Sequence, residues 1–370
     1  FLPGFAFDIL GGRRHGLVCG LGCACGMFGI AVAIQMDPWA YPVGQVLLLG
    51  VSLIAAELLG QSMNLAMLGW LWHYPSSQGR LLGISNGTSQ ASGALAFLFH
   101  VMKKAGLSLQ QDVIIMAAAG TLSSLVLPLL IPPREDFARE AGRVLAEDPS
   151  TMSSGGVPAS ALLWHIRHNR QCAVKVARLH PRQNAAFLFW MVCTMVSFFL
   201  FMGGMSTRYK AWFSGRERDV LNDALALCLG LAGIVMGPLL GYVMDIMGFL
   251  PFVGVTALSG FLFAVAFNVP TVSGQIMAIG TICSLISVVS VFTFRYTILF
   301  APPDLMGSFV GLGMTVTSVG MIAIMALSMA LPAWASAVII SALPAVGGFV
   351  FLIVLCREGL PAKPPKNAYG

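Results

Sequence analysis

The chain has 370 residues, of which 57% are hydrophobic and only 10% charged, with a mean hydropathy of +0.83 and a net charge of +6. That usage lies far outside the range of soluble domains, and a bilayer is the solvent that suits it. The excess positive charge is spread over loops and not gathered into one patch, so no nucleic-acid partner is expected.

A membrane-crossing helix needs about 20 apolar residues. The chain opens at Phe1 with an apolar stub, residues 1–10, that is neither a basic n-region nor a complete span, so no signal peptide is read. Cutting the rest at charged or Pro/Gly-rich breaks gives ten complete spans: 15–35, 43–72, 81–102, 112–132, 184–206, 219–244, 250–269, 274–300, 307–330 and 333–356. Cys19, Cys23 and Cys25 fall in the first of them with a spacing that matches no zinc pattern, so they are read as small packing residues. No disulfide framework, metal or other cofactor is expected.

After four of these spans the composition changes. Residues 133–182 replace apolar runs with acids, bases, Ser, Gly and Pro, and read as a polar central loop. Within it, the run from Pro133 to Asp148 suits a short surface helix, and Ser150 to Ser160 a flexible stretch. Placing the loop between stub and first span in the cytoplasm puts 14 basic residues there, against six on the other side, with Arg295 left inside a span. The positive-inside rule then fixes the orientation, with the C-terminus cytoplasmic. The expected organisation is a helical half over 1–132, the loop over 133–182, and a second half with a short tail over 183–370.

The two halves share a local pattern. Gly4-x-x-x-Asp8-x-x-Gly11, followed by Arg13-Arg14, returns as Gly241-x-x-x-Asp245-x-x-Gly248, both glycines and the aspartate displaced by one common offset. Both copies fall where a helix meets a very short cytoplasmic loop, a place where a carboxylate can cap a helix N-terminus or pair with a base. This resembles the loop motif of the major facilitator superfamily, G-x-x-x-D-x-x-G-x-R/K-R/K, between its second and third helices and more weakly between its eighth and ninth.

The resemblance implies an all-α membrane fold of two six-helix repeats, the stub ending helix 2, the ten spans being helices 3 to 12, and residues 133–182 joining the halves. Asp245 lies deep inside the second half, which begins at Asn184, whereas Asp8 stands close to the start of the chain. Repeat symmetry therefore expects about 50 to 55 further residues, helix 1 and most of helix 2, ahead of Phe1. A chain without them is expected not to transport, its first bundle being open.

Two stretches narrow the resemblance. Ile84-Ser-Asn-Gly-Thr-Ser-Gln-Ala-Ser-Gly93 running into Phe97-Leu-Phe and Lys104-Ala-Gly-Leu-Ser108, and Tyr296-Thr-Ile-Leu-Phe-Ala-Pro-Pro-Asp304 before Gly307-Ser-Phe-Val-Gly-Leu-Gly313, look like family 43 of the solute carriers. Here Ser-Asn-Gly-Thr-Ser-Gln stands where that family more often has Tyr-Asn-Gly-Ala and a polar residue. The resemblance implies facilitative carriage of amino acids, neutral or cationic, across a plasma membrane, with a nucleobase or another small polar metabolite as the alternative cargo. A non-transporting receptor is the reading from another class. No enzymatic motif appears, and a monomer is expected.

An intramembrane acid costs roughly 2.5–3.5 kcal/mol on insertion scales and is a functional candidate for that reason. Glu57 is the clear case, and Gln61 and Asn64 follow it at i+4 and i+7 on one helical face, expected to look into the bundle. With Asn86 and Gln90 from the next span they form the candidate substrate site, able to hold an ammonium, a guanidinium or a coupling proton. An interhelical hydrogen-bond network is the plainer reading of the same stripe.

Under the resemblance Asp8, Arg13, Arg14, Asp245 and Arg295 are the candidate gating residues, Arg295 also being placed to snorkel or to meet a substrate carboxylate. Gly83 and Gly87 on one span and Gly230, Gly233, Gly237 and Gly241 on another recur at helical spacing, and the helices carrying them are expected to meet across the halves. Thr194, Ser197, Thr315, Thr317 and Ser318 offer pore-lining hydroxyls, although such groups also bond their own helix.

Overall fold

A computed structural model describes residues 2–37, 39–90, 102, 106–145, 162–329 and 333–361. Its regular elements are all helical among the described residues. Among the described residues, eight helices are long and apolar enough to cross a membrane. The chain is an integral, multi-pass membrane protein.

The first element, α1 (Leu2–Gln35), joins two helical segments across a break at the place where a very short loop is expected between stub and first span. The two run end to end, broken only at Gly11, whose φ of 72° and ψ of 165° lie outside the helical region. A residue with a Cβ is strained at that φ, so glycine lets the chain turn in a single step. The same device recurs in the second copy of the motif, where Gly248 (φ 82°, ψ 172°) separates α9 (Gly237–Met247) from α10 (Phe249–Phe267). The sequence repeat is thus a repeat of backbone conformation.

Between these points lie α2 (Pro42–Ala66), α3 (Gln78–Gln90), α4 (Leu109–Leu130), α5 (Arg134–Leu145), α6 (Leu162–Leu179), α7 (Pro181–Trp212) and α8 (Gly215–Leu231). After α10 come α11 (Val272–Phe300), α12 (Met306–Met329) and α13 (Ala333–Glu358). A π-helical turn, Ala232–Met236, joins α8 to α9. The surface helix expected after Pro133 is α5. No helix is expected from sequence in the later part of the polar loop, yet α6 forms there; its apolar residues are too few to read as a span, but they are spaced to cover one face. Ser150–Ser160 lies outside the described residues.

Small residues pack α1 on α2. A Cβ on Gly26 would lie 2.7 Å from Ala56 N and 2.8 Å from Ser52 O, and one on Gly29 would overlap Ser52 Oγ. Backbones this close are the usual solution in lipid, where burial of apolar surface gives helices no driving force. The second half packs α10 on α13 in the same way, a Cβ on Gly260 lying 2.7 Å from Pro344 C and one on Gly348 2.7 Å from Ala257 Cα, and adds an aromatic cluster. Trp190, Phe292, Tyr296 and Phe351 are sealed where the start of α7 meets the ends of α11 and α13, with Phe187 stacked on Tyr296 at 4.1 Å.

The halves meet through α3 against α9 and α11, and through α1 against α12. As expected, Gly83, Gly237 and Gly241 lie on facing helices: a Cβ on Gly83 would overlap Gly237 O, and one on Gly241 would overlap Gly79 O. The π turn falls in this same glycine-rich stretch of the helix facing α3.

Candidate functional site

Each motif aspartate crosses to the other half and ends on the N-terminus of a helix there. The backbone N–H groups of Gly307 and Ser308, at the start of α12, donate to Asp8 Oδ1 (2.8 Å) and Oδ2 (2.7 Å). Those of Gly79 and Arg80, at the start of α3, donate to Asp245 Oδ1 (2.8 Å) and Oδ2 (3.0 Å). A helix N-terminus offers unpaired N–H groups and partial positive charge, so a carboxylate is its natural partner. These are charge-assisted bonds, stronger than bonds between neutral groups.

Close backbone contact makes the reach achievable. A Cβ on Gly4 would collide with Gly307 O, just as one on Gly241 would collide with Gly79 O. One turn of backbone on each side is therefore in direct contact, and the aspartate four residues on is delivered to the facing helix start.

From the sequence, Gly307 and Ser308 enter only through a family resemblance and Gly79 not at all, yet the two receiving ends share a signal. Pro75-Ser-Ser-Gln-Gly79 and Pro303-Asp-Leu-Met-Gly307 share Pro-x-x-x-Gly, one copy in each half. Each begins with a short 3₁₀ turn, Pro75–Ser77 and Pro303–Leu305, that leads into its helix. Proline suits such first-turn positions because its missing N–H is not needed there.

Three cations were expected to join the latches. Arg13 instead donates from Nε to Ile131 O (2.8 Å) and from Nη2 to Leu129 O (3.2 Å), capping the C-terminal end of α4. Arg134 reaches the other way, Nη1 donating to Ile9 O at 2.8 Å just ahead of the Gly11 break. Arg14 is exposed and makes no hydrogen bond or ion pair among the described residues. Arg295 donates to Gln78 Oε1 across the halves and lies within electrostatic reach of Asp245. It therefore sits with the second latch. Arg80, half-exposed, adds an ion pair to the same aspartate at 3.7 Å.

The candidate substrate residues fare differently. Glu57 is exposed, outside the sealed face of α2 that Ser52 and Ser62 line, and it lies within electrostatic reach of Cys23 on α1. Small residues take the packed face of α2, which leaves the carboxylate on its open flank. The side chains of Gln61, Asn64, Asn86 and Gln90 lie outside the described residues.

Among the hydroxyls, Ser197, Thr315 and Ser318 donate to carbonyls four residues earlier in their own helices. Thr194 is fully buried, and Thr317 faces Met191 Sδ at 4.0 Å. One residue was not foreseen from sequence at all. His15, completely buried between α1 and α2, donates from Nε2 to Ser62 O (3.0 Å) with Cys19 Sγ at 3.5 Å. No group of three metal-ligating side chains occurs among the described residues.

The fold is also found in a solved structure of a double-tryptophan variant of XylE, with a TM-score of 0.63 over 98% of this chain and 83% of that one. This is the major facilitator fold. Identity over the match is 11%, so the likeness speaks for the fold alone. No family model matches the sequence. No curated protein matches it either.

Proposed function

We propose that the protein is a secondary transporter that moves amino acids, neutral or cationic, by alternating access between its two helical halves. The observation that carries this reading is the pair of carboxylate latches. Each joins opposite halves, and each consists of contacts that can break without unfolding either half. A rocking carrier needs such contacts on the side it closes. With both made, the face that loop charge assigns to the cytoplasm is shut and the access path opens to the other side.

Glu57, with Gln61, Asn64, Asn86 and Gln90, is the proposed substrate site, and its exposure on α2 suits a group that meets a solute. A plasma-membrane address rests on the resemblance to family 43 of the solute carriers, as does the amino-acid cargo. Labelled amino acids and nucleobases offered to oocytes expressing the full-length protein, with Glu57→Gln in parallel and external pH varied, test the reading. Saturable amino-acid uptake lost in the variant supports it. Uptake of nucleobases alone moves the cargo to that class, and absence of all uptake overturns transport.

A further inference from the structure

The two helices of the central loop have opposite electrostatic designs. In α5, Arg139 pairs with Asp136 and Arg143 with Glu140, both at 2.7 Å, so its charge is neutralised internally. In α6 the sequence supplies Arg167, Arg170, Lys175 and Arg178 and no acid at all. Arg170, Lys175 and Arg178 are exposed, and among the described residues no carboxylate pairs with them. The next cation along, Arg182, is paired with Glu358 at 2.6 Å. The uncompensated charge is therefore confined to one face of α6.

The other face is anchored. Cys172, Ala173 and Val176 are buried, and α6 rests on the Pro303–Leu305 turn and the first part of α12. Asn184 ties its end to the bundle, Nδ2 donating to Ala177 O (2.7 Å) while Tyr296 Oη–H donates to Asn184 Oδ1 (2.7 Å). This holds α6 at the cytoplasmic ends of α7, α11 and α12, the level of lipid headgroups. Arg170, Gln171, Val174, Lys175 and Arg178 line a concavity of about 460 Å³ there. From Arg170 to Arg178 the three cations span about 12 Å of helix, a reach that fits a phosphorylated headgroup better than a bare anion.

We propose that the cationic face of α6 binds the phosphate-bearing headgroup of an acidic membrane lipid. A basic amphipathic helix beside a transmembrane segment is drawn to such lipids by charge. Here the occupied site also braces α6 against α12, the helix whose first turn receives Asp8.

The test is independent of transport. The full chain, purified in detergent, is titrated with dioctanoyl phosphatidylinositol 4-phosphate, dioctanoyl phosphatidylcholine or inorganic phosphate, and bound molecules are counted by native mass spectrometry. The acidic lipid binds, and Arg170→Gln/Lys175→Gln/Arg178→Gln weakens it at least tenfold. The charge-keeping variant Arg170→Lys/Lys175→Arg/Arg178→Lys retains binding, as does Arg139→Gln/Arg143→Gln on α5, which separates loss of charge from loss of fold. Equal binding of phosphatidylcholine, equal affinity in the triple Gln variant, loss in the charge-keeping variant, or full competition by inorganic phosphate at the lipid's own concentration overturns the proposal.

Discussion

The two latches solve one problem with different insulation. Asp8 is 8% exposed and ends on two backbone N–H groups sealed between α1 and α12. Asp245 makes the same pair of bonds but shares its carboxylate with Arg80, whose side chain is 49% exposed, and has Arg295 close by. The Asp245 side chain is itself only 7% exposed, so what sets the second latch apart is the charge around it, open to solvent at Arg80. What the motif keeps in both halves is therefore the carboxylate and the glycines, and the bases are free to do other work.

Backbone contact should dominate any attempt to break either latch. Gly4→Ala and Gly241→Ala each place a methyl group inside the van der Waals radius of a facing carbonyl, and overpacking of this kind costs about 1–3 kcal/mol or more. Both variants should melt several degrees lower and separate the helix ends that the latches join, read as a longer distance between spin labels at Arg14→Cys and Met247→Cys in a cysteine-depleted background. Unchanged distance and melting would mean that the halves do not touch there.

Next come the carboxylates, and here the comparison sharpens. Hydrogen bonds to a charged group contribute about 1.5–3 kcal/mol each, so Asp8→Asn should shift the open and closed populations by about tenfold or more. Asp245→Asn should do less, because Arg80 and Gln78 still bridge the halves through Tyr242 and Arg295. The wild-type second latch should also loosen in 1 M salt, where screening acts within about 3 Å, while the first stays closed. Equal salt response of the two, followed with label pairs placed beside each, would remove the distinction in insulation.

Arg13→Gln should lower thermal stability by about 1 kcal/mol through the lost cap on α4 with the label distance unchanged. Arg14→Ala should leave thermal stability unchanged. A label distance that follows Arg13→Gln, or a melting shift in Arg14→Ala, would return the bases to the latch.

The helical architecture was legible because lipid demands long apolar runs, and the repeat because Gly and Asp at these positions have backbone jobs that few residues can do. Gly11 and Gly248 needed a positive φ, and Gly4 and Gly241 a close approach, so all four left a spacing behind. Partners of Arg13 were not legible: a basic residue after the motif says that it will find an acceptor, and whether that is a carboxylate or a carbonyl at Ile131 depends on tertiary placement. The burial of His15 left no trace beyond its place near a helix end. Helix α6 was hidden because a half-polar helix lying on protein has neither the length nor the hydropathy of a span. Which face of α2 is sealed was not legible, because the glycines of α1 decide it.

In the proposed cycle both aspartates together hold one side of the molecule shut. The most direct test is the distance distribution between labels at Arg14→Cys and Met247→Cys, measured by double electron–electron resonance in lipid nanodiscs, for the wild-type latches and for Asp8→Asn/Asp245→Asn. A dominant short distance that gives way to a longer one in the double variant is the predicted result. A single short distance in both proteins would contradict it.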